Sequence, residues 1–318
     1  METKVLVTGG SGFLGNVTRP EQVLAAVRSA APDVIVHTAG VVPGGQARYS
    51  SSPAVRDPVF AINEGGTRNV IGAARDVGVR ALVYTSSCTV ISDDLAHDYP
   101  LMNEALPTGY ATLAYGASKA AAERLVLDAN CAELATCALR PATIIGPGDS
   151  FGVVATINAL VKARETPYII GDGDNMYDFV YIDNVAYAHL LAVENLLEKR
   201  SVAGLAVFVS NHEPIYFRDF MVAIWAQCEG HVPPFTFRVP ASLAWFTGWA
   251  AEWVAWLAGR EAVLSRGSVQ DAIGIRYADN SRAIEVLGYR PKVAFADAVR
   301  LACDDYKARR KSGAYDAI

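Results

Sequence analysis

Two short segments carry side chains suited to proton transfer. Tyr115 and Lys119 stand as Y-x-x-x-K at the start of the alanine-rich stretch "YGASKAAAERLVLDAN", and a spacing of four puts both on one face of a helix. A tyrosine hydroxyl ordinarily titrates near ~10, too high for a base at neutral pH. A neighbouring ammonium stabilises the phenolate and lowers that value. Any helix can carry a solvated Tyr and Lys at this spacing, so the pair alone decides little. The preceding strand pattern ends in "YTSSCTV", which brings Ser86 and Ser87 toward the same crevice. Ser87 is then a candidate hydrogen-bond partner for a substrate oxygen, against the common role of a strand-end serine as a cap. The histidines, His37, His97, His189, His212 and His231, form no H-x-x-x-H or His/Cys cluster, so no metal site is expected.

A third segment, "TGGSGFLG", places Gly9, Gly12 and Gly15 at GxxGxxG spacing, with Phe13 and Leu14 inside the turn. Missing side chains there allow a tight turn and close approach of backbone N–H groups to a pyrophosphate. Packing alone also produces glycine turns. The elements that must position these residues alternate along the chain: "KVLVTG", "PEQVLAAVRSAA", "DVIVHTAG", "GTRNVIGAARDVG", "RALVYTSS", the Tyr115 helix and "ATCALRPATIIGPGD". This order predicts an α/β fold, a Rossmann-type doubly wound parallel sheet with helices on both faces. Residues 1–146, joined by 178–210, are expected to form the dinucleotide-binding core. Residues 147–177 and 211–318 are expected to form most of a smaller C-terminal substrate lobe over the carboxyl ends of the strands.

The bulk numbers agree with an enzyme of this size. In 318 residues, 52% are hydrophobic and 19% charged, which excludes disordered and coiled-coil classes. A net charge of -5 without a Lys/Arg stripe argues against nucleic acid as a partner. Five cysteines without a C-x-x-C pair read as reduced thiols in a cytosol-facing protein, and "METKVLVTGG" reads as fold rather than a cleavable signal. The stretch Ser242 to Ala258 holds Glu252 as its one charge but is short for a ~30 Å hydrocarbon core. Its Trp245, Trp249, Trp253 and Trp256 form one helical stripe. That stripe suits core packing, the lip of an apolar pocket, or a foot resting on a membrane.

The series "TGGSGFLG", "HTAG" with His37, "NEGGTRNV" with Asn63, "YTSS", "YGASK", "LRPATIIGPGD" and "DFVYIDNVAYAH" resembles the extended short-chain dehydrogenase/reductase family, in its 3β-hydroxysteroid dehydrogenase branch. Through "SNHEPIYF" and "IRYADNSRAIEVLGYRP" it is most similar to the fungal sterol-4α-carboxylate 3-dehydrogenases of that branch, nearly end to end. The resemblance implies that Tyr115 is the general acid/base. Lys119 would hold the nicotinamide ribose and depress the Tyr115 pKa, and Ser87, preferred over Ser86, would orient the reacting hydroxyl or carbonyl. Pro141 would help wall the nicotinamide. His37 would be structural. The implied cofactor is NAD or NADP, and the implied substrate a sterol, steroid or terpenoid whose 3-hydroxyl is oxidised, with loss of CO2 from a 4-carboxylate. A homodimer through the Tyr115 helix, and a cytoplasmic protein peripheral to the endoplasmic reticulum through 242–258, complete these expectations.

One segment departs from the family. "GNVTRPEQVLAAV" matches a segment that normally follows two further β-α units, so roughly forty residues are lacking, and with them the acidic residue that selects NAD or NADP. Asp33 lies just before the next strand and is no substitute. Without its second and third strands the sheet loses its switch point, and "KVLV" becomes an apolar edge with one face uncovered. If the working protein has those residues, it is a redox enzyme. If it lacks them, weak nicotinamide binding is expected, and the fold would serve as an isomerase using Tyr115 or as an apolar-ligand binder. A nucleotide-sugar epimerase shares the Ser/Tyr/Lys set, but the Trp-rich lobe offers few cations to a sugar diphosphate.

Overall fold

The computed structural model describes residues 3–9, 16–149, 152–258, 262 and 264–313. Its centre is a five-stranded parallel sheet in the order Val5–Thr8, Val34–His37, Ala81–Thr85, Ala135–Pro141, Ala206–Val209. The strands are rich in β-branched residues, and the middle three are almost wholly buried, as parallel strands covered on both faces must be. The order runs one way without reversal, so the expected loss of the switch point is seen among the described residues.

Helices cover both faces. Pro20–Ala30, Gly66–Val77 and Ala114–Asp128 pack Val23, Val27, Val70, Ala74, Ala122 and Val126 against Leu6, Ile35, Leu82 and Ala138. The first of these has proline in its first turn with Glu21, and Arg28 in its last, charges that suit the helix dipole. The second ends at Gly78 in the left-handed region (φ 79°), where glycine costs least. On the opposite face, Ile182–Glu198 sets Val185, Ala188, Ala192 and Leu196 over Val34, Val36, Val83 and Leu139. This helix does not reach the edge strand, whose Val5 and Val7 remain 47% and 51% exposed. The uncovered edge read from the sequence is therefore present.

A separate apolar cluster joins Phe179, Phe220, Trp225, Phe295 and Tyr306. The ring centroids of Phe179 lie 4.1 Å from Phe220 and 5.5 Å from Phe295, and the Trp225 indole donates to the Ile157 carbonyl at 2.7 Å. The tryptophan stripe lies on the Ala241–Leu257 helix. Its buried positions are Ala244 and Gly248, because a side chain at 248 would sit 2.9 Å from the Ser265 backbone. Trp253 and Trp256 are 53% and 71% exposed, so the stripe is not a core stripe.

Candidate active site

The carboxyl ends of the central strands and the first turns of the Ala114–Asp128 helix form the site. Asp93 sets that helix in place. Its carbonyl accepts the Thr112 N–H and hydroxyl, both at 2.9 Å, and its carboxylate accepts the Gly116 N–H at 3.0 Å. A side chain at 116 would meet the Thr89 carbonyl oxygen at 2.4 Å. Glycine after Tyr115 is thus required by close approach.

Ser87 and Tyr115 are brought together. Ser87 Oγ accepts from Thr89 N (3.2 Å) and Thr89 Oγ1 (2.8 Å) at the start of the short Thr89–Ser92 helix, near enough to Tyr115 to act on its hydroxyl. Burial pushes the Tyr115 hydroxyl up to about 12; the Ser87 hydrogen bond opposes this, Asp93 and Cys88 add to it, and Arg48 opposes it. Ser86 is committed elsewhere: buried, it donates to Glu123 Oε2 at 2.6 Å. Arg140 Nε and Nη2 grip the same carboxylate at 2.9 and 2.7 Å, a bidentate buried pair.

Lys119 is set into the strand ends. Its ammonium donates to the Thr85 carbonyl at 2.5 Å and lies 4.3 Å from the centre of the Tyr84 ring. It is 4% exposed. Burial brings its pKa down to about 7, against the opposing pull of Glu123. Arg48 is a cation that lowers the Tyr115 pKa.

Asn63 and His37 hold the neighbouring turn. Asn63 lies on the π-helical turn Ala61–Gly65; its amide donates to Val41 O (3.1 Å) and Ser118 Oγ (2.9 Å), and its oxygen accepts from Val41 N (2.8 Å). It fastens the loop after the second strand to the Tyr115 helix. His37 is buried between Thr8 Oγ1 (2.6 Å) and Thr67 Oγ1 (2.9 Å), and burial takes its pKa down to about 3. Neutral and fully engaged, it is structural. Gly9 has φ +91°, and a side chain there would stand 2.7 Å from Ala39 N. Packing is thus enough to require that glycine. Gly12, Phe13, Leu14 and Gly15 lie outside the described residues. Pro141 ends its strand, buried, with its carbonyl accepting from Cys88 N at 3.0 Å.

A charged cluster that spacing did not reveal borders Tyr115. Arg48, on the short Gly45–Tyr49 helix, pairs with Asp93 at 2.8 Å and Asp271 at 3.4 Å. Asp271 also accepts from Tyr49 (2.6 Å) and pairs with Arg276. Its members are far apart in the chain, so no local motif announces them. Among the described residues no group of three or more His, Cys, Asp or Glu side chains is arranged to hold a metal ion.

The 3-beta hydroxysteroid dehydrogenase/isomerase family matches residues 15–237. The chain is 37% identical over 290 residues to a sterol-4-alpha-carboxylate 3-dehydrogenase (decarboxylating) of Schizosaccharomyces pombe, covering 91% of this chain and 82% of that protein. It is 39% identical over 244 residues to a 2-alkyl-3-oxoalkanoate reductase of Stenotrophomonas maltophilia, covering 69% and 73%. Its fold superposes on that of RMD from Pseudomonas aeruginosa, solved with NADPH, at a TM-score of 0.67, with 22% identity and coverage of 97% and 100%.

Proposed function

The chain belongs to the 3-beta hydroxysteroid dehydrogenase/isomerase family, and we propose that it is an NAD(P)-dependent oxidoreductase acting on the 3-hydroxyl of a sterol 4α-carboxylate. The observation that carries this reading is Ser87 set close to Tyr115, with Lys119 on the tyrosine's helix, at the carboxyl ends of a parallel sheet. Its relatives by name support the substrate class. The sterol 4α-carboxylate and the 2-alkyl-3-oxoalkanoate share one chemical feature: the reacting carbon is bonded to the carbon that bears a carboxylate. Oxidation at such a position yields a β-keto acid, which loses CO2 readily.

The nicotinamide end of the cofactor fits the residues present. Lys119 lies beside the Gly40 turn and the Asn63 amide, where a buried ammonium can donate to ribose hydroxyls, and Gly9, Tyr115 and Pro141 complete the candidate contacts. At the adenosine end, no described strand flanks Val5–Thr8 on its outer side. When bound, the nicotinamide supplies the hydride chemistry. The chain's own groups hold the alcohol by Ser87 and take its proton at Tyr115 Oη. With its pKa near 12, Tyr115 is an acid at rest, so oxidation should accelerate as pH rises above neutral.

Titration of the 318-residue chain with NADH and NADPH, followed by nicotinamide fluorescence, is the first test. Saturable binding, with turnover of a 4α-carboxysterol that Tyr115→Phe abolishes at unchanged cofactor affinity, is the expected result. A folded chain that binds neither dinucleotide would sink the redox reading. The uncovered edge strand favours one second reading in that event, a cofactor-free isomerase or apolar-ligand binder using Tyr115.

The division into a core of 1–146 with 178–210 and a lobe of 147–177 with 211–318 belongs to the same proposal, supported by the separate apolar clusters. No helix of the described residues is long and apolar enough to cross a membrane. The exposed Trp253, Val254, Trp256 and Leu257 support a peripheral seat of the Ala241–Leu257 helix on a lipid surface, the cytosolic face of the endoplasmic reticulum, from which a sterol would enter.

A further inference from the structure

We propose that Arg48 recognises the substrate carboxylate and is the residue that selects β-hydroxy and β-keto acids over uncharged alcohols. This rests on the reading above, in which the carboxylate sits on the carbon next to the reacting one. Such a carboxylate must stand beside the oxygen that Tyr115 and Ser87 hold. An ionised carboxylate inside an otherwise apolar pocket costs several kcal/mol unless a cation meets it.

Arg48 is the cation placed to do so. Its Nη2 donates to Asp93 Oδ1 at 2.8 Å, and the other oxygen of Asp93 accepts the N–H of Gly116, the residue after Tyr115. Guanidinium and tyrosine thus share one wall through a single carboxylate. Its Nε reaches Asp271 at 3.4 Å, a long contact. No hydrogen bond among the described residues uses Nη1. The Arg48 side chain keeps 21% exposure while that of Asp93 has none. The field of Arg48 reaches the Tyr115 hydroxyl and lowers its pKa.

The other nearby cations are more deeply buried than Arg48. Arg276, 8% exposed, is paired with Asp271. Arg140 is locked on Glu123. Lys119 points into the Thr85 carbonyl. Two aspartates hold Arg48 in one orientation before substrate arrives, which favours planar two-pronged binding of a carboxylate.

Two 3β-hydroxysterols delivered from cyclodextrin test this: one with a 4α-carboxylate, one with a 4α-methyl group in its place. Both dissociation constants and kcat with KM are measured. The wild type should bind the carboxylate the more tightly. Arg48→Gln should raise its Kd roughly tenfold to a hundredfold, the size of a charge-assisted hydrogen bond, and leave the Kd of the methyl sterol within twofold. Arg48→Lys should recover part of the preference. Because Arg48→Gln leaves Asp93 buried without its partner, the double change Arg48→Gln with Asp93→Asn gives a second chain without an orphaned charge, and it too should lack the preference. Equal losses on both sterols, or a wild type indifferent to the carboxylate, would overturn the proposal. A wild type that prefers the carboxylate in binding yet turns over neither sterol with NAD or NADP would overturn the redox reading and leave this one standing.

Discussion

Lys119 shows how burial and function oppose each other at a single residue. The unfolded chain holds the Lys119 proton up to the ordinary lysine range, whereas the folded chain releases it near 7. Between these values the unfolded state binds more protons, so this group's contribution to stability rises with pH from about 7 and is least favourable below it. Lys119→Met removes the penalty. We expect urea denaturation to show a gain on the order of 2 kcal/mol at pH 6, shrinking by pH 9, in a chain that no longer turns over substrate. A loss of stability at pH 6 would mean that the Thr85 hydrogen bond and the Tyr84 ring contact outweigh the cost of burial. Tyr115, Lys119 and Ser87 were legible because i, i+4 spacing and a strand end are local properties. Arg48, Asp93 and Asp271 were not, because an Arg on one helical turn and two unremarkable aspartates acquire meaning only when folding brings them together.

At the scale of elements, the Ala241–Leu257 helix is the least expected. Its sequence stripe points to Trp245, Trp249, Trp253 and Trp256, yet the face it buries is the small one, Ala244 and Gly248, against Ser265. Periodicity identifies a stripe but does not say whether protein covers it. Glu252 ties this helix to Arg266, through the Arg266 N–H at 2.7 Å and its Nε at 2.8 Å. The exposed rings are therefore presented by an anchored helix. Changing Trp253 and Trp256 together to Glu should abolish co-sedimentation with phosphatidylcholine vesicles and leave the thermal midpoint within a few degrees, since both rings lie mostly in solvent. Undiminished vesicle binding would exclude this helix as the contact.

For the whole molecule, the consequence of the shortened sheet is the affinity for dinucleotide. Among the described residues one helix, Pro20–Ala30, lies between the first strand and the Val34–His37 strand, and Val5 and Val7 stay open. Inserting between Gly15 and Asn16 the two β-α units that the family resemblance implies should cover that face and supply the adenosine end of the site. We expect at least a tenfold gain in NADH or NADPH affinity, read by the same fluorescence titration, and less self-association in light scattering. An unchanged affinity would show that the nicotinamide end alone governs binding.

Spacing, hydrophobic period and a missing segment carry the strand and helix alternation, the family, the placing of Tyr115 and Lys119 on one helix and the exposed edge. Only the tertiary structure decided where the charges act. It turned Lys119 into the Thr85 carbonyl, spent Ser86 on the Glu123–Arg140 pair, gave Gly9 a packing reason, and set Arg48 beside Tyr115 through Asp93. The physical reason is that local periodicity is written along the chain, whereas electrostatic influence depends on distance and burial. Residues 48, 93, 115 and 271 come within that range only after the chain has folded.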